Sequence, residues 1–309
     1  MNEVFFILTP NYLALDHAGP AEAMRIAIDE GARLRLHTVG PAAECVSSLG
    51  LVSHVAPLPE KLPKQALLVL VGTVDEDRDY STAPAQQLVA WLAQSVRADT
   101  RIACICSGAL LAAMAGLLNG RRCTTHHALT SKLAALAPGA RVEQDRIFVE
   151  DGPIATSAGI TAGIDLALWL IEQQAGAALA ARVARRMVVY ARRDGTAAQL
   201  SPFMAHRNHL NPALHKAQDL IAADPAQHWT LSNLAERVHV SERHLSRLFR
   251  THTASSVVAY RQALQIEVAR DRLALGATVE TAAEAAGFGS ARTLRRVWKQ
   301  IVGGTPAKR

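Results

Sequence analysis

Cys106 has the surroundings in this chain best suited to covalent chemistry. The run Ile102-Ala-Cys-Ile-Cys106-Ser-Gly-Ala-Leu-Leu reads as a strand, a sharp turn and a helix, with the cysteine at the turn. Gly108 and Ala109 are small enough for the helix to start against the sheet, which is the logic of a nucleophile elbow with sulfur in place of oxygen. A thiol at a helix N-terminus is drawn toward thiolate by backbone N–H groups and the helix dipole. Thr124-Thr125-His126 follows and supplies a proton partner, although His126 reads equally well as a satisfied pocket residue. Asp16, in LDHAGPAE after the first strand, approaches the same carboxyl edge of the sheet, where open α/β sheets bind ligands. Asp16, Cys106, Ser107 and His126 are therefore the expected ligand-contacting set, with Cys106, Asp16 and His126 as candidates for catalysis. Cys104 and Cys123 read as small core residues. Neither Cys104-x-Cys106 nor His126-His127 has zinc-site spacing, so no metal or cofactor is expected.

A second chemistry lies at the other end. The last eighty or so residues hold one helical pattern twice. Leu231, Leu234, Ala235 and Val238 recur as Val279, Ala282, Ala283 and Ala286, and Leu245, Leu248 and Phe249 recur as Leu294, Val297 and Trp298. Thr230 and Thr278 precede the first helix of each half; Ser241 and Ser290 open the second. Capped helix, tight turn and capped helix is helix-turn-helix grammar. With the apolar positions facing a core, Arg243, Ser246, Arg247 and Arg250 point outward in the first half. Arg292, Thr293, Arg295, Arg296 and Lys299 do so in the second. An arginine fork bonds guanine O6 and N7 together, and residues near the helix start reach bases more readily than later ones. Arg243, Ser246, Arg247, Arg292, Thr293 and Arg296 are accordingly assigned to bases, and Arg250, Arg295 and Lys299 to phosphates. For any one of these arginines the alternative is a solvated surface charge.

The elements that must position these residues follow from the apolar pattern. Over the first 190 or so residues, strand and helix signals alternate: strands at Val4–Thr9, Leu34–Val39, Leu67–Val71 and Ile102–Cys106, with helices between. One helix is expected to open at Gly19-Pro20, and a long one to run from about Thr161 to Arg192-Arg193. Such alternation predicts a doubly wound, flavodoxin-like α/β sheet domain over 1–194. Residues 195–212 lose periodicity, carry Pro202 and Pro212, and read as a linker. Asn211-Pro212 then opens the first helix of an all-α domain over 213–309 with two helix-turn-helix motifs. Between the motifs, Val257 to Leu275 reads as one helix about 28 Å long, near the ~34 Å between successive major-groove faces.

Composition agrees. Of 309 residues, 1–212 hold 19 Lys+Arg and 19 Asp+Glu, whereas 213–309 hold 14 and 8, so the whole net charge of +6 sits on the doubled pattern. A basic face favours nucleic acid by counterion release. No apolar run reaches the roughly 18 residues of a membrane span. The N-terminus reads as a strand rather than a signal peptide, and four cysteines form no disulfide framework, so a reducing cytoplasmic location is expected.

Three blocks carry a family resemblance. CSGALLAAMAGLLNGRRCTTH, LDHAGPAE and DGPIATSAGITAGIDLAL resemble the PfpI-type, class I amidotransferase-like domain. GFGSARTLRRVWKQIVGGTP resembles the second-unit signature of the AraC/XylS-type DNA-binding domain. The departures are Ala282 in place of isoleucine, a C-terminus without the usual aromatic, and His127 where relatives often have an aromatic. Together the blocks are similar to GlxA-family transcriptional regulators. The resemblance implies double-stranded promoter DNA as partner, a small, polar, nitrogen-containing effector, and a homodimer formed through the front domain. It assigns Cys106 to the elbow, His126 to the pocket and Asp16 to the acid beside the thiol. The front domain then has three readings: a ligand sensor that has lost an ancestral activity, a working cysteine hydrolase or hydratase, or an inert dimerisation body. Cys106 as a thiol-based sensor of oxidants or electrophiles is a further alternative.

Overall fold

The computed structural model describes residues 2–74, 80–189, 192–199, 206–207 and 209–306. The chain divides by its contacts into Met1–Gln199 and Leu200–Arg309. The first unit runs β1 (Asn2–Ile7), α1 (Ala14–Asp29), β2 (Leu34–Gly40), β3 (Glu44–Val46), β4 (Val52–His54), β5 (Ala56–Pro57), β6 (Leu67–Leu70), α2 (Ala83–Ser95) and β7 (Arg101–Ile105). It continues through α3 (Gly108–Met114), β8 (Arg122–Cys123), α4 (Thr130–Leu136), β9 (Arg141–Val142), β10 (Phe148–Asp151), β11 (Ile154–Ser157), α5 (Thr161–Ala175) and α6 (Ala177–Arg186).

The main sheet has the order β10-β11-β7-β6-β1-β2-β5, parallel throughout except for the β10–β11 hairpin. Side chains alternate across it, and both faces are covered. Val4, Phe6, Leu67, Val69, Ala103 and Ile105 join one apolar cluster with α1, α5 and α6. Phe5, Ile7, Leu68, Leu70, Ile102 and Cys104 join another with α2, α3 and α4. Coverage on both faces is why these strands read as unbroken apolar runs rather than alternating ones. The chain leaves β1 toward β2 on one side and returns to β6 on the other. The switch of direction therefore lies between β1 and β6, at the carboxyl edge, and this is the doubly wound architecture expected.

Two helix boundaries differ from the sequence reading. Helix α1 starts at Ala14, ahead of Gly19-Pro20, and holds Pro20 inside it. The helix beginning at Thr161 breaks at Gly176, whose φ of 86° no helix accommodates, and resumes as α6. Arg193, expected at the end of that helix, instead pairs with the buried Asp165 at 2.6 Å and donates to Thr161 Oγ1 at 2.8 Å. The start of the expected linker also lies on this unit: the Ile147 N–H donates to Ala197 O at 3.0 Å and Arg146 Nη1 to Thr196 O at 2.7 Å. Linker residues 200–205 and 208 lie outside the described residues.

The second unit contains α7 (Pro212–Ala223), α8 (Leu231–Arg237), α9 (Glu242–Thr253), α10 (Val257–Ala274), α11 (Val279–Ala285) and α12 (Ala291–Ile301). All the expected caps form. Asn211, Thr230, Ser241, Thr278 and Ser290 each accept a backbone N–H three residues on, at 3.0–3.2 Å. Helix α10 serves two cores. Val257, Tyr260 and Leu264 face the α7–α9 cluster, while Ile266, Ala269 and Leu273 face the α11–α12 cluster. Between them Gln265 is buried and donates to Gly287 O at 3.2 Å. No helix among the described residues is long and apolar enough to cross a membrane.

Just ahead of α7, the His209 ring lies 4.2 Å from that of His215, tilted by 33°, and 5.4 Å from that of His252 of α9. Its Nε2 pairs with Gln218 Oε1 at 3.0 Å, and its Nδ1 accepts the Asn211 N–H at 3.3 Å. Desolvation pushes this ring below its ordinary value of 6.5, as do the neighbouring His215, His252 and Arg207, while the Gln218 bond opposes them. The neutral ring is thus the one the fold holds, and its stabilisation is full above that value and lost as pH falls below it. Protection of the Asn211 amide, corrected for intrinsic exchange, is therefore expected to drop as pH falls below about 6.5. Unchanged protection down to strongly acidic pH would contradict the arrangement.

Candidate effector pocket and nucleic-acid interface

The site on the first unit is assembled by loops leaving the carboxyl ends of β1, β6, β7 and β11. Cys106 follows β7 with φ 55°, a left-handed backbone that a non-glycine residue adopts only at some cost. Its N–H donates to Ser157 O at 3.0 Å, and its carbonyl accepts the Thr125 hydroxyl at 2.8 Å. Gly159 makes room for the turn: a Cβ there would lie 2.2 Å from Cys106 Cβ, at a φ of +82°. Gly108 lets α3 start against β6, since its Cβ would meet Leu70 O at 2.2 Å.

Asp16 and Cys106 are brought together. A Cβ on Gly72 would lie 2.6 Å from Asp16 Oδ2 and 2.9 Å from Cys106 Cβ. Asp16 is fully buried, and its Oδ1 accepts the N–H of Ile160, itself at φ 52°, at 2.6 Å. A carboxyl in this position acts on the thiol in one of two ways: protonated, it donates to a thiolate; ionised, it disfavours one.

Ser107 is fully buried, and its hydroxyl is committed within the protein. It accepts from the Thr73 N–H at 2.8 Å and from the Tyr80 hydroxyl at 2.9 Å, and donates to Thr73 O at 3.3 Å. Ser107 therefore fastens the elbow to the β6 loop. Tyr80, buried at φ 52°, has no local sequence signal that marks it. Burial pushes its phenol well above the usual range, so it stays a neutral donor. His126 is half-buried; its Nδ1 accepts the Ala128 N–H at 3.3 Å, and its ring lies 4.2 Å from that of His127, tilted by 35°. Acceptance at Nδ1 places the proton of the neutral ring on Nε2.

All four thiols are buried, Cys106 with 3% exposure. Burial raises Cys45, raises Cys104 well beyond the ordinary thiol range, and raises Cys123 to about 11, with Glu143 and Asp151 adding to the last. No group of three or more metal-ligating side chains occurs among the described residues.

On the second unit, α9 and α12 bury their apolar stripes and turn their basic residues outward. Arg243, Arg247, Arg250, Arg292, Arg295, Arg296 and Lys299 are all exposed, whereas Ser246 and Thr293 are half-buried. The Thr293 hydroxyl lies 3.0 Å from Ser290 Oγ and so takes part in the cap of α12. Arg247 donates to His244 Nδ1 at 3.1 Å. Arg295 pairs with Glu280 at 3.1 Å, an exposed pair worth about 0–1 kcal/mol that a phosphate can replace.

Two outcomes test this geometry. Gly159→Ala forces a left-handed alanine against Cys106 and is expected to cost about 3 kcal/mol of stability, read by denaturant unfolding. A change within about 0.5 kcal/mol would show that the turn is not confined. Brief iodoacetamide treatment of the folded protein is expected to label Cys106 ahead of Cys45, Cys104 and Cys123, and equal labelling of all four would contradict the assignment.

Comparison with known proteins places both halves. A model of the DJ-1/PfpI family matches residues 2–173, and a helix-turn-helix domain model matches 234–308. The HTH-type transcriptional regulator CdhR of Pseudomonas aeruginosa is 30% identical over 276 residues, covering 88% of this chain and 80% of that one. The HTH-type transcriptional regulator GlxA of Rhizobium meliloti is 27% identical over 311 residues, covering 99% and 94%. Isonitrile hydratase of Pseudomonas putida is 31% identical over 179 residues, covering 56% and 72%, so that similarity reaches only part of this chain. The chain belongs to the DJ-1/PfpI family, in the form, shared with CdhR and GlxA, that carries a C-terminal helix-turn-helix DNA-binding domain.

Proposed function

We propose that this protein is a cytoplasmic transcriptional regulator whose sheet unit binds a small metabolite and whose helical unit reads a promoter. What carries the reading is a single observation. Two capped helix-turn-helix units share one central helix, α10, and each turns an arginine-bearing face to solvent while burying its apolar stripe. Helix α10 has 18 residues and spans about 27 Å, close enough to the ~34 Å groove repeat for one chain to engage adjacent major grooves. Arg243, Ser246, Arg247, Arg292, Thr293 and Arg296 take the base-facing role, and Arg250, Arg295 and Lys299 the phosphate-facing role.

The effector enters at the carboxyl edge between Asp16, Cys106 and His126, with Ser107 holding the elbow in place. The effector is small and polar. Assembly as a homodimer through the sheet unit lets it alter how two helical units meet paired half-sites, which requires different effector affinity in the two arrangements. Catalysis by Cys106 is retired in this reading. In support, the relatives matched along most of the chain are regulators. The second reading, a working cysteine hydratase, is favoured by the partial similarity to isonitrile hydratase and by the proximity of Asp16 to Cys106.

Arg247→Ala and Arg296→Ala are each expected to weaken binding to a duplex selected from random sequence by the purified chain by about 1–3 kcal/mol, with the lost discrimination confined to a few base pairs. Unchanged affinity in both would overturn the interface. To separate sensor from enzyme, the full chain is incubated with simple isonitriles, amides and nitriles. The expected result is no turnover beyond that of Cys106→Ser, and turnover abolished by Cys106→Ser would make the chain an enzyme.

A further inference from the structure

The loop after β8 touches two things at once. On one side, the fully buried Thr125 donates its hydroxyl to the Cys106 carbonyl at 2.8 Å. On the other, the Thr125 carbonyl accepts Gln199 Nε2 at 2.8 Å, and the His127 N–H donates to Gln199 Oε1 at 2.7 Å. The same Nε2 donates to Arg146 O at 3.0 Å, and the Gln199 N–H donates to Asp145 Oδ1 at 2.9 Å. One side-chain amide thus uses its donor and its acceptor to tie the pocket loop to the segment that leaves the sheet unit. Gln199 is also the last residue of that unit; the chain passes to the other at Leu200.

We propose that Gln199 is a clamp through which the state of the Cys106 pocket controls the root of the interdomain connector. The proposal rests on the reading that Cys106 lines the effector site, and it adds the route by which occupancy leaves that site. The Cys106 carbonyl belongs to a left-handed turn that Gly159 and Gly72 approach closely, so a group bound against the sulfur cannot shift the turn without shifting Thr125. Displacing Thr125 removes an acceptor from Gln199 and, two residues on, moves the donor at His127. Gln199 is half-buried, and its one amide bonds Thr125 O, Arg146 O and the His127 N–H together, so a shift of the Thr125 loop disturbs the whole set. Holding it keeps 194–199 packed along 145–148; releasing it frees 194–199 from that edge.

Gln199→Glu is the sharp variant. It keeps size and can still accept from His127, but it cannot donate and places charge against the carbonyls of Thr125 and Arg146. Thr125→Val removes only the hydroxyl link to Cys106, and Thr125→Ser restores it. The readout is hydrogen–deuterium exchange by mass spectrometry on the full-length chain, in peptides covering 126–129, 145–149 and 194–200. Gln199→Glu is expected to speed exchange there at least about tenfold while the central strands β1 and β6 stay protected. Thr125→Val is expected to do the same, and Thr125→Ser to return to the wild-type rate. Carbamidomethylation of Cys106 by iodoacetamide, counted by intact mass, is expected to change exchange at 194–200 in the wild type and not in Gln199→Glu. Complete modification with no change at 194–200, or an unaltered rate in Thr125→Val, would overturn the clamp. A Cys106 that stays unmodified would count against the pocket reading instead, with Thr125→Val still deciding the clamp.

Discussion

The sheet unit depends on holding one cysteine in a left-handed backbone at the carboxyl edge. Cys106 at φ 55° turns the chain from β7 into α3 within a single residue. That turn exists only because Gly159 and Gly72 leave no side chain where the sulfur-bearing residue must sit. Ile160 and Tyr80 carry the same kind of strain nearby. Strain of this kind, grouped where four strand ends meet, persists because its surroundings over-determine it. Asp16 is buried within it, and the hydrogen bonds of Ser107 and Thr125 fix the turn from both sides.

The helical unit solves a different problem. Each helix-turn-helix has a small core, and neither would bury enough apolar surface alone. Helix α10 is shared between them, with its apolar face passing from one cluster to the other around Gln265. The same sharing ties α9 and α12 to one helix, so the element that stabilises the unit also holds its two halves together. Side-chain caps at every expected helix start satisfy donors that would otherwise face solvent or the turn.

What could be read from sequence was what is local. Thr230, Ser241, Thr278 and Ser290 cap as expected because a cap spans only three residues, and the strand–helix alternation survived because both faces of the sheet are apolar. Cys106 was legible as an elbow from its small neighbours. The misses are long-range. Gly176 breaks a helix that periodicity alone would continue. Tyr80 shows no local signal, since its partner Ser107 lies in another loop. Gln199 sits in a stretch without periodicity, and its partners lie more than fifty residues away. Ser107 was read as facing a ligand, but the loop after β6 claims its hydroxyl through contacts no spacing rule reveals.

The most direct test is equilibrium binding of the full-length chain to duplexes from the intergenic regions beside its own gene, titrated with salt. Selective binding is expected, with an affinity that falls steeply with salt as exposed arginines on α9 and α12 replace counterions. Binding absent at low ionic strength, or equal for every duplex offered, would contradict it.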